Sequence, residues 1–144
     1  MPSAEFEHTA FAPVSVEKAW QQLQKPETWE GLAGVDEVFD VHHAPDGLLT
    51  AYRFRATAAS QVYEGSATTV EATTESRMAI DIVTSEVTGT ITTNLSAVDQ
   101  GVSVSVRVKL RSTGFMSTLF FPVISQALGS GLPKQVAAFV ERLT

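Results

Sequence analysis

The sequence predicts an α+β fold in which one long C-terminal helix covers an antiparallel β-sheet. The stretch from Val102 to Leu110 places valine or leucine at every second position, with serine, arginine or lysine between them. This alternation is typical of a strand with one buried face. Six segments with strand character precede it, and an apolar stretch with helical spacing, Phe115–Leu143, follows it. A sheet with one apolar face needs a second layer, and the last helix is the only predicted element long enough to supply it.

The first third of the chain is predicted to form one strand and two short helices. Glu5–Ala12 alternates between two faces, and Pro13 ends it. Ser15 is a suitable N-cap for a helix that continues to Gln24. Pro26 then begins a second short helix, because proline is favoured at the first helical position.

Six strands are predicted after these helices, with short turns between them. Pro45-Asp46-Gly47 and Asp99-Gln100-Gly101 are both typical of tight turns. Strands with such short connections must pair antiparallel, because parallel pairing needs a long crossover. The predicted strands are Val35–Ala44, Leu48–Ala58, Gln61–Ala72, Arg77–Glu86, Val87–Val98 and the valine-rich strand that ends at Arg111.

The terminal helix would be roughly 43 Å long if it were continuous. It contains Pro122 and Pro133, and Pro133 follows two nearby glycines, Gly129 and Gly131. Proline removes a backbone donor and crowds the preceding turn. The sequence therefore predicts a kink or break between Gly129 and Pro133.

Composition limits the classes of function. The length of 144 residues favours a single domain spanning residues 1–144. The net charge of −6 argues against nucleic acid as a partner and against a polybasic membrane anchor. The absence of cysteine excludes disulfides and thiolate chemistry. No signal-peptide pattern and no apolar run of membrane-spanning length is present, so we expect a cytoplasmic protein without stable membrane insertion.

Three stretches of the sequence carry a resemblance to a known superfamily. Phe11–Trp20 is similar to its opening, in which a strand is followed by an alanine-proline pair and a helix with tryptophan. Pro26–Trp29 with Gly34-Val35, and the closing Leu132–Leu143, are similar to two further family patterns. On these residues and on the order of elements, the chain resembles the START-like superfamily (also called Bet v 1-like or SRPBCC) of polyketide cyclases and lipid-transport proteins.

That resemblance implies a helix-grip fold, in which a curved, seven-stranded antiparallel sheet wraps around a long C-terminal helix. Two short helices lie between strands 1 and 2, and a hydrophobic cavity lies between sheet and helix. Members bind lipids, sterols, polyketides or hormones, and some are aromatases or cyclases. The family has no universal catalytic residue, so the resemblance assigns no catalytic residue and no cofactor to this chain.

Residues on faces predicted to point inward are the candidate walls of such a cavity. Three of them, His43, Tyr52 and Glu64, are polar and could orient a ligand or move a proton. A completely filled core without a cavity is the alternative. The candidate ligand-binding residues are Phe39, Val41, His43, Tyr52, Phe54, Glu64, Met78, Ile80, Ile82, Leu95, Val104, Val106, Phe120, Ile124 and Leu128.

Two other groups of residues are better explained by structure than by ligand binding. His42 and His43 are neighbours in a strand, where adjacent side chains point to opposite faces, so no metal site is predicted. Arg53, Arg55 and the cations of the last strand lie opposite apolar faces. We interpret them as a solvated outer face with acidic partners such as Glu71 and Asp81, rather than as an anion-binding stripe.

These observations favour a binder or carrier of a small hydrophobic ligand, acting as a monomer or weak homodimer. The first alternative is an aromatase/cyclase-like enzyme that uses His43, Tyr52 or Glu64 as acid, base or ligand orienter. The second is a protein-interaction module that acts through the sheet edge or through Phe115–Phe121. The aromatic residues of that segment point around most of the helix circumference, so some must lie outside a single core stripe.

Overall fold

A computed structural model of the chain describes residues 3–30, 35–58 and 60–143, without the side chains of 58, 61, 115–121, 123, 124, 127 and 128. The predicted order of elements is confirmed, and the ends of the strands and of the first and last helices differ from the predicted ones by at most two residues. The predicted end of the second helix lies at residues 31–34, outside the described residues. The predicted N-cap of the first helix is also confirmed, since Ser15 Oγ accepts a hydrogen bond from Lys18 N at 3.2 Å. The elements are β1 (Ser3–Ala12), α1 (Val16–Leu23), a 3-10 helix (Pro26–Trp29), β2 (Val35–His43), β3 (Leu49–Ala58), β4 (Gln61–Thr73), β5 (Arg77–Thr84), β6 (Val87–Val98), β7 (Gly101–Ser112) and α2 (Phe115–Leu143).

The seven described strands form one antiparallel sheet with the order β1-β7-β6-β5-β4-β3-β2. Consecutive strands pair along the chain from β2 to β7. The remaining pair joins β1 to β7, from Ser3 opposite Arg111 to Ala12 opposite Val102. The predicted fold class is therefore confirmed: a curved seven-stranded antiparallel sheet, a long C-terminal helix and two short helices between the first two strands.

The core lies between the inner face of the sheet and the helices. Along β7 the burial alternates as the sequence predicts, because Val102, Val104 and Val108 all point inward. α1 contributes two further buried apolar side chains, and the C-terminal half of α2 contributes three. The buried apolar side chains besides the three valines are Ala12, Ala19, Leu23, Trp29, Leu49, Tyr52, Phe54, Ala67, Met78, Ala79, Ile80, Ile91, Leu95, Leu110, Leu132, Val136 and Leu143.

Helix α2 runs from Phe115 to Leu143 without the predicted break. Pro133 is exposed, and Leu132 and Val136 beside it are buried against the core. This packing holds the helix together across the backbone hydrogen bond that proline removes. Gly129 has a different role, because a Cβ atom there would lie 2.6 Å from a ring carbon of Phe6. Glycine at this position lets α2 approach β1 closely.

Gln24, which directly follows α1, connects that helix to the sheet. Its side-chain Oε1 accepts a hydrogen bond from Leu49 N at 2.8 Å, and its Nε2 donates to Trp20 O at 3.0 Å. Its backbone oxygen lies 2.8 Å from His43 Nε2. One residue thus satisfies the backbone N–H of a fully buried residue in β3 and holds the end of α1 beside β2.

A Gln24→Ala variant should lose about 1–3 kcal/mol of unfolding free energy, because Leu49 N would be left buried without its acceptor. Urea denaturation followed by circular dichroism measures this loss. Gln21→Ala is the matched control, since Gln21 is an exposed glutamine of the same helix. Equal losses in the two variants would contradict the role assigned to Gln24.

Candidate functional site

A pocket with a volume of about 280 Å³ opens between the sheet, the 3-10 helix and the C-terminal half of α2. β6 and β7 form its floor, while residues 23–30 and α2 form its sides. Three parts of the chain that are distant in sequence therefore meet at this site. The lining residues are Leu23, Thr28, Trp29, Glu30, Thr93, Val104, Val106, Lys134, Gln135, Val136, Ala138, Phe139 and Arg142.

The floor of the pocket follows from strand alternation. Val104 and Val106 are two positions apart on β7, so both point to the inner face. Thr93 lies opposite Val106 on β6 and is only 1% exposed. Its hydroxyl can donate a hydrogen bond to a bound molecule or accept one. The floor is therefore apolar with one polar group.

The 3-10 helix supplies the largest side chain of the pocket, Trp29, which is 4% exposed. Its indole Nε1 donates to Leu23 O at 3.0 Å, so the ring is held against the end of α1. Thr28 Oγ1 donates to Gln22 O at 2.6 Å and ties the same turn to α1. These bonds hold the apolar indole face in the pocket wall.

Helix α2 gives the pocket both an apolar wall and a charged mouth. Val136 and the half-buried Phe139 face the interior. Lys134, Ala138 and Arg142 are exposed and follow each other at intervals of four residues, which places them along one side of the helix. Arg142 Nη1 also donates to the backbone oxygen of Glu27 at 2.7 Å, which connects α2 to the 3-10 helix.

Two tyrosines bring polar groups to the inner face outside this pocket. Burial raises the pKa of the Tyr52 phenol well above its ordinary value, so the hydroxyl stays protonated. Its ring packs edge-on to Phe54, with centroids 6.3 Å apart. Tyr63 Oη is buried, and no described residue forms a hydrogen bond with it.

The structure disperses the residues that the sequence proposed as cavity walls. Among the described residues only Val104 and Val106 of that set line the pocket. Val41 and Ile82 are partly buried and pack against the core. Phe120, Ile124 and Leu128 have side chains outside the description. The remaining apolar candidates are buried in the core: Tyr52, Phe54, Met78, Ile80 and Leu95.

The inward orientation predicted for Phe39 was wrong. The pairing of β2 with β3 shifts register near the start of β2, between Val35 and Glu37. Phe39 therefore lies opposite Arg53 on the outer face. The guanidinium carbons of Arg55 and Arg53 lie 4.4 and 5.7 Å from the centre of its ring, so the ring is covered by cations rather than by a cavity.

The inward orientation predicted for Glu64 was also wrong. Glu64 pairs across the strands with Arg55 on the outer face and forms ion pairs with Arg53 at 2.5 Å and Arg55 at 3.5 Å. Its neighbour Gly65 takes the inward position, beneath the Phe54 ring. His43 is exposed at the end of β2, where its side chain contacts the backbone at the end of α1.

The three polar residues proposed for acid–base chemistry therefore do not converge. Tyr52 is in the core, Glu64 is on the outer face, and His43 is at the end of an edge strand. Within the described ranges, no group of three or more histidine, aspartate or glutamate side chains could hold a metal ion.

Five cations of the outer face are paired with glutamates, as the sequence indicated. Arg107 contacts Glu7 at 2.7 Å, and Arg77 contacts Glu71 at 2.9 Å. Asp81 instead accepts a hydrogen bond from Thr90. The pairs are exposed to solvent, so they contribute little to stability.

Several pocket residues were not identified from the sequence, namely Trp29, Thr93, Gln135, Phe139 and Arg142. Trp29 lies within a stretch that resembles the superfamily, and Phe139 lies on the apolar stripe of the last helix. The resemblance and the apolar stripe indicated that these two side chains are buried, but not that they line the same pocket. Thr93 carried no signal, because it is one of many threonines in its strand.

No protein-family model and no curated protein sequence matches the chain. Solved structures do match it over nearly its whole length. The protein TTHA0849 from Thermus thermophilus has a TM-score of 0.77 at 14% identity and covers 97% of each chain. A START superfamily protein from Mycobacterium smegmatis has a TM-score of 0.68 at 12% identity, covering 97% of this chain and 99% of that one.

The Zhui aromatase/cyclase from Streptomyces sp. R1128 has a TM-score of 0.63 at 11% identity, covering 99% of this chain and 87% of that one. At such low identities these likenesses show the fold, which is the START-like helix-grip fold. They confirm the resemblance inferred from the sequence at that level. None of the helices in the described part of the chain combines the length and hydropathy needed to cross a bilayer.

Proposed function

We propose that this chain, which has the START-like helix-grip fold, binds a small and mainly apolar molecule between α2 and the floor of β6 and β7. The observation that carries the proposal is the pocket itself, with apolar walls and few polar groups. Ligand sites in proteins commonly have this composition. The START superfamily protein and the aromatase/cyclase among the structural neighbours support the same interpretation.

The volume limits the size of the ligand. An engineered cavity of about 150 Å³ admits benzene, whereas drug-sized molecules use pockets of roughly 300–1,000 Å³. The pocket of about 280 Å³ therefore suits an apolar body of roughly two aromatic rings, and a further ring can extend through its mouth. The indole of Trp29 and the ring of Phe139 provide flat apolar surfaces for it, and Thr93 can bind one polar atom.

Binding without chemistry is favoured over catalysis by the positions of the ionisable groups. General acid–base catalysis requires groups within hydrogen-bond reach of the substrate. Tyr52, His43 and Glu64 lie outside the pocket lining. The charged residues that do line it, Glu30, Lys134 and Arg142, are exposed at its mouth.

A neutral fluorescent probe, N-phenyl-1-naphthylamine, tests the proposal. We expect saturable binding with increased fluorescence, and a loss of affinity of more than about tenfold in Val106→Trp, because the indole would occupy the pocket. Ala138→Phe, at the exposed mouth, gives a second obstruction that leaves the core unchanged. Val83→Trp is the control, since Val83 is 50% exposed on the outer face. Equal affinities in all variants would refute the proposed site.

A further inference from the structure

The charge of the pocket mouth has the opposite sign to the charge of the whole chain. The charged residues that line the pocket are Glu30, Lys134 and Arg142, with a net charge of +1, whereas the chain has a net charge of −6. Lys134 and Arg142 are eight residues apart on α2, so their Cα atoms are separated by roughly 12 Å along the axis. Only Ala138 lies between them on this side of the helix, so both long side chains can reach the same opening.

Lys134 and Arg142 differ from most cations of the sheet in that they form no ion pair with a described carboxylate. Five of the ten lysine and arginine residues contact glutamates on the outer face: Arg53, Arg55, Arg77, Arg107 and Lys109. In the described part of the chain, the other five have no carboxylate within 4.0 Å: Lys18, Lys25, Arg111, Lys134 and Arg142.

Three of these five cations surround the pocket or the groove beside it. Lys134 and Arg142 line the pocket, and Arg142 also lines the adjoining groove together with Lys25, His43 and Glu27. The positive charge that lacks an internal carboxylate is therefore concentrated where a ligand would enter. An apolar interior with a cationic mouth suits a molecule with an apolar body and an acidic group.

We infer that the ligand is an amphipathic acid, whose apolar body fills the pocket and whose anionic group lies at the mouth beside Lys134 and Arg142. The inference rests on the proposed function, because it names the ligand class of the same pocket. Exposed ion pairs are weak, so each cation should contribute about a threefold change in affinity.

Two probes with the same ring body test the inference: N-phenyl-1-naphthylamine, which is neutral, and 8-anilino-1-naphthalenesulfonate, which carries an anionic group. At low salt we expect the sulfonate to bind about three- to tenfold more tightly. Lys134→Gln should reduce the affinity for the sulfonate about threefold more than the affinity for the neutral probe. Removing both cations, with Lys134→Gln and Arg142→Gln together, should abolish the preference.

Lys18→Gln is the matched control, because it removes the same charge from an exposed position on α1, outside the pocket. We expect Lys18→Gln to bind the sulfonate more tightly than the neutral probe, as the unchanged protein does. That result would show that the position of the charge matters. Two results would overturn the inference while leaving the proposed pocket intact. The first is equal affinity of the protein for the two probes, and the second is an equal loss of affinity for both probes in Lys134→Gln. If Val106→Trp changes the binding of neither probe, the proposed function fails as well.

Discussion

Replacement of Trp29 by alanine is expected to remove about 3–5 kcal/mol of unfolding free energy. The indole is 4% exposed, packs between α1 and the floor of the pocket, and donates a hydrogen bond to Leu23 O. Its loss would leave a void beside the pocket, and the surroundings could close that void only in part. The free energy of unfolding of a small domain is about 5–15 kcal/mol, so this single change would remove a large part of it.

Urea denaturation followed by far-ultraviolet circular dichroism measures this loss without relying on tryptophan fluorescence. Trp29→Phe is the graded comparison, because it keeps an aromatic ring and removes the N–H donor, with an expected loss of about 1 kcal/mol from the hydrogen bond. Trp20→Phe, at a half-buried position on α1, controls for the loss of an indole. A loss below about 1 kcal/mol in Trp29→Ala would show that the indole is not a packed wall of the pocket.

Replacement of Gly65 by valine is expected to destabilise the fold by about 3 kcal/mol. A Cβ atom at this position would lie 2.6 Å from Phe54 Cζ, 2.7 Å from the backbone oxygen of Val83 and 2.8 Å from Thr84 Cγ2. The backbone oxygen is held in the sheet and cannot move away, so the strand or the Phe54 ring must shift. Gly65 therefore makes room for the aromatic core of β3.

The matched control for Gly65→Val is Ser66→Val, one residue further along β4. Ser66 is exposed on the opposite face, where valine has space and a favourable strand propensity, so this variant should change stability by less than about 0.5 kcal/mol. Thermal unfolding of the two variants gives the comparison directly. Similar melting temperatures would mean that Gly65 does not lie beneath Phe54.

The pocket and the filled part of the core lie over different strands of the sheet. Between β3 and β5 the inner face is filled by Tyr52, Phe54, Met78 and Ile80, all of which are buried. The pocket lies at the other side, over β6 and β7, where valines and a threonine leave more space than aromatic side chains would. The sequence left a cavity and a filled core as alternatives, and the structure has each of them in a different part of the same sheet.

Patterns with a short period determined most of the secondary structure. The alternation along β7, the spacing of apolar residues in α2 and the N-cap Ser15 predicted their elements to within two residues. Each of these signals depends on residues a few positions apart, because strands repeat every two residues and helices every 3.6. The element order, together with its resemblance to a superfamily, was sufficient for the fold class.

The orientation of β4 shows where that reasoning reached its limit. Val62 and Val70 share a face with Glu64, and their apolar side chains favour it as the inner face, yet these valines are 69% and 55% exposed. The opposite face, with Gly65 and Ala67, is the buried one. Both faces of this strand had a plausible pattern, and the choice was made by Phe54 of β3, which needs the space above Gly65.

By itself, then, the sequence determined the elements of this protein, their order and the character of its last strand and helix. The tertiary structure decided the register shift near the start of β2, the inner face of β4 and the position of the pocket. The pocket exists because β1 pairs with β7, and because α2 packs back across the sheet to meet Trp29 and Thr93. These contacts join residues that are far apart in the sequence, and their geometry depends on packing volume and register, which no local periodicity encodes.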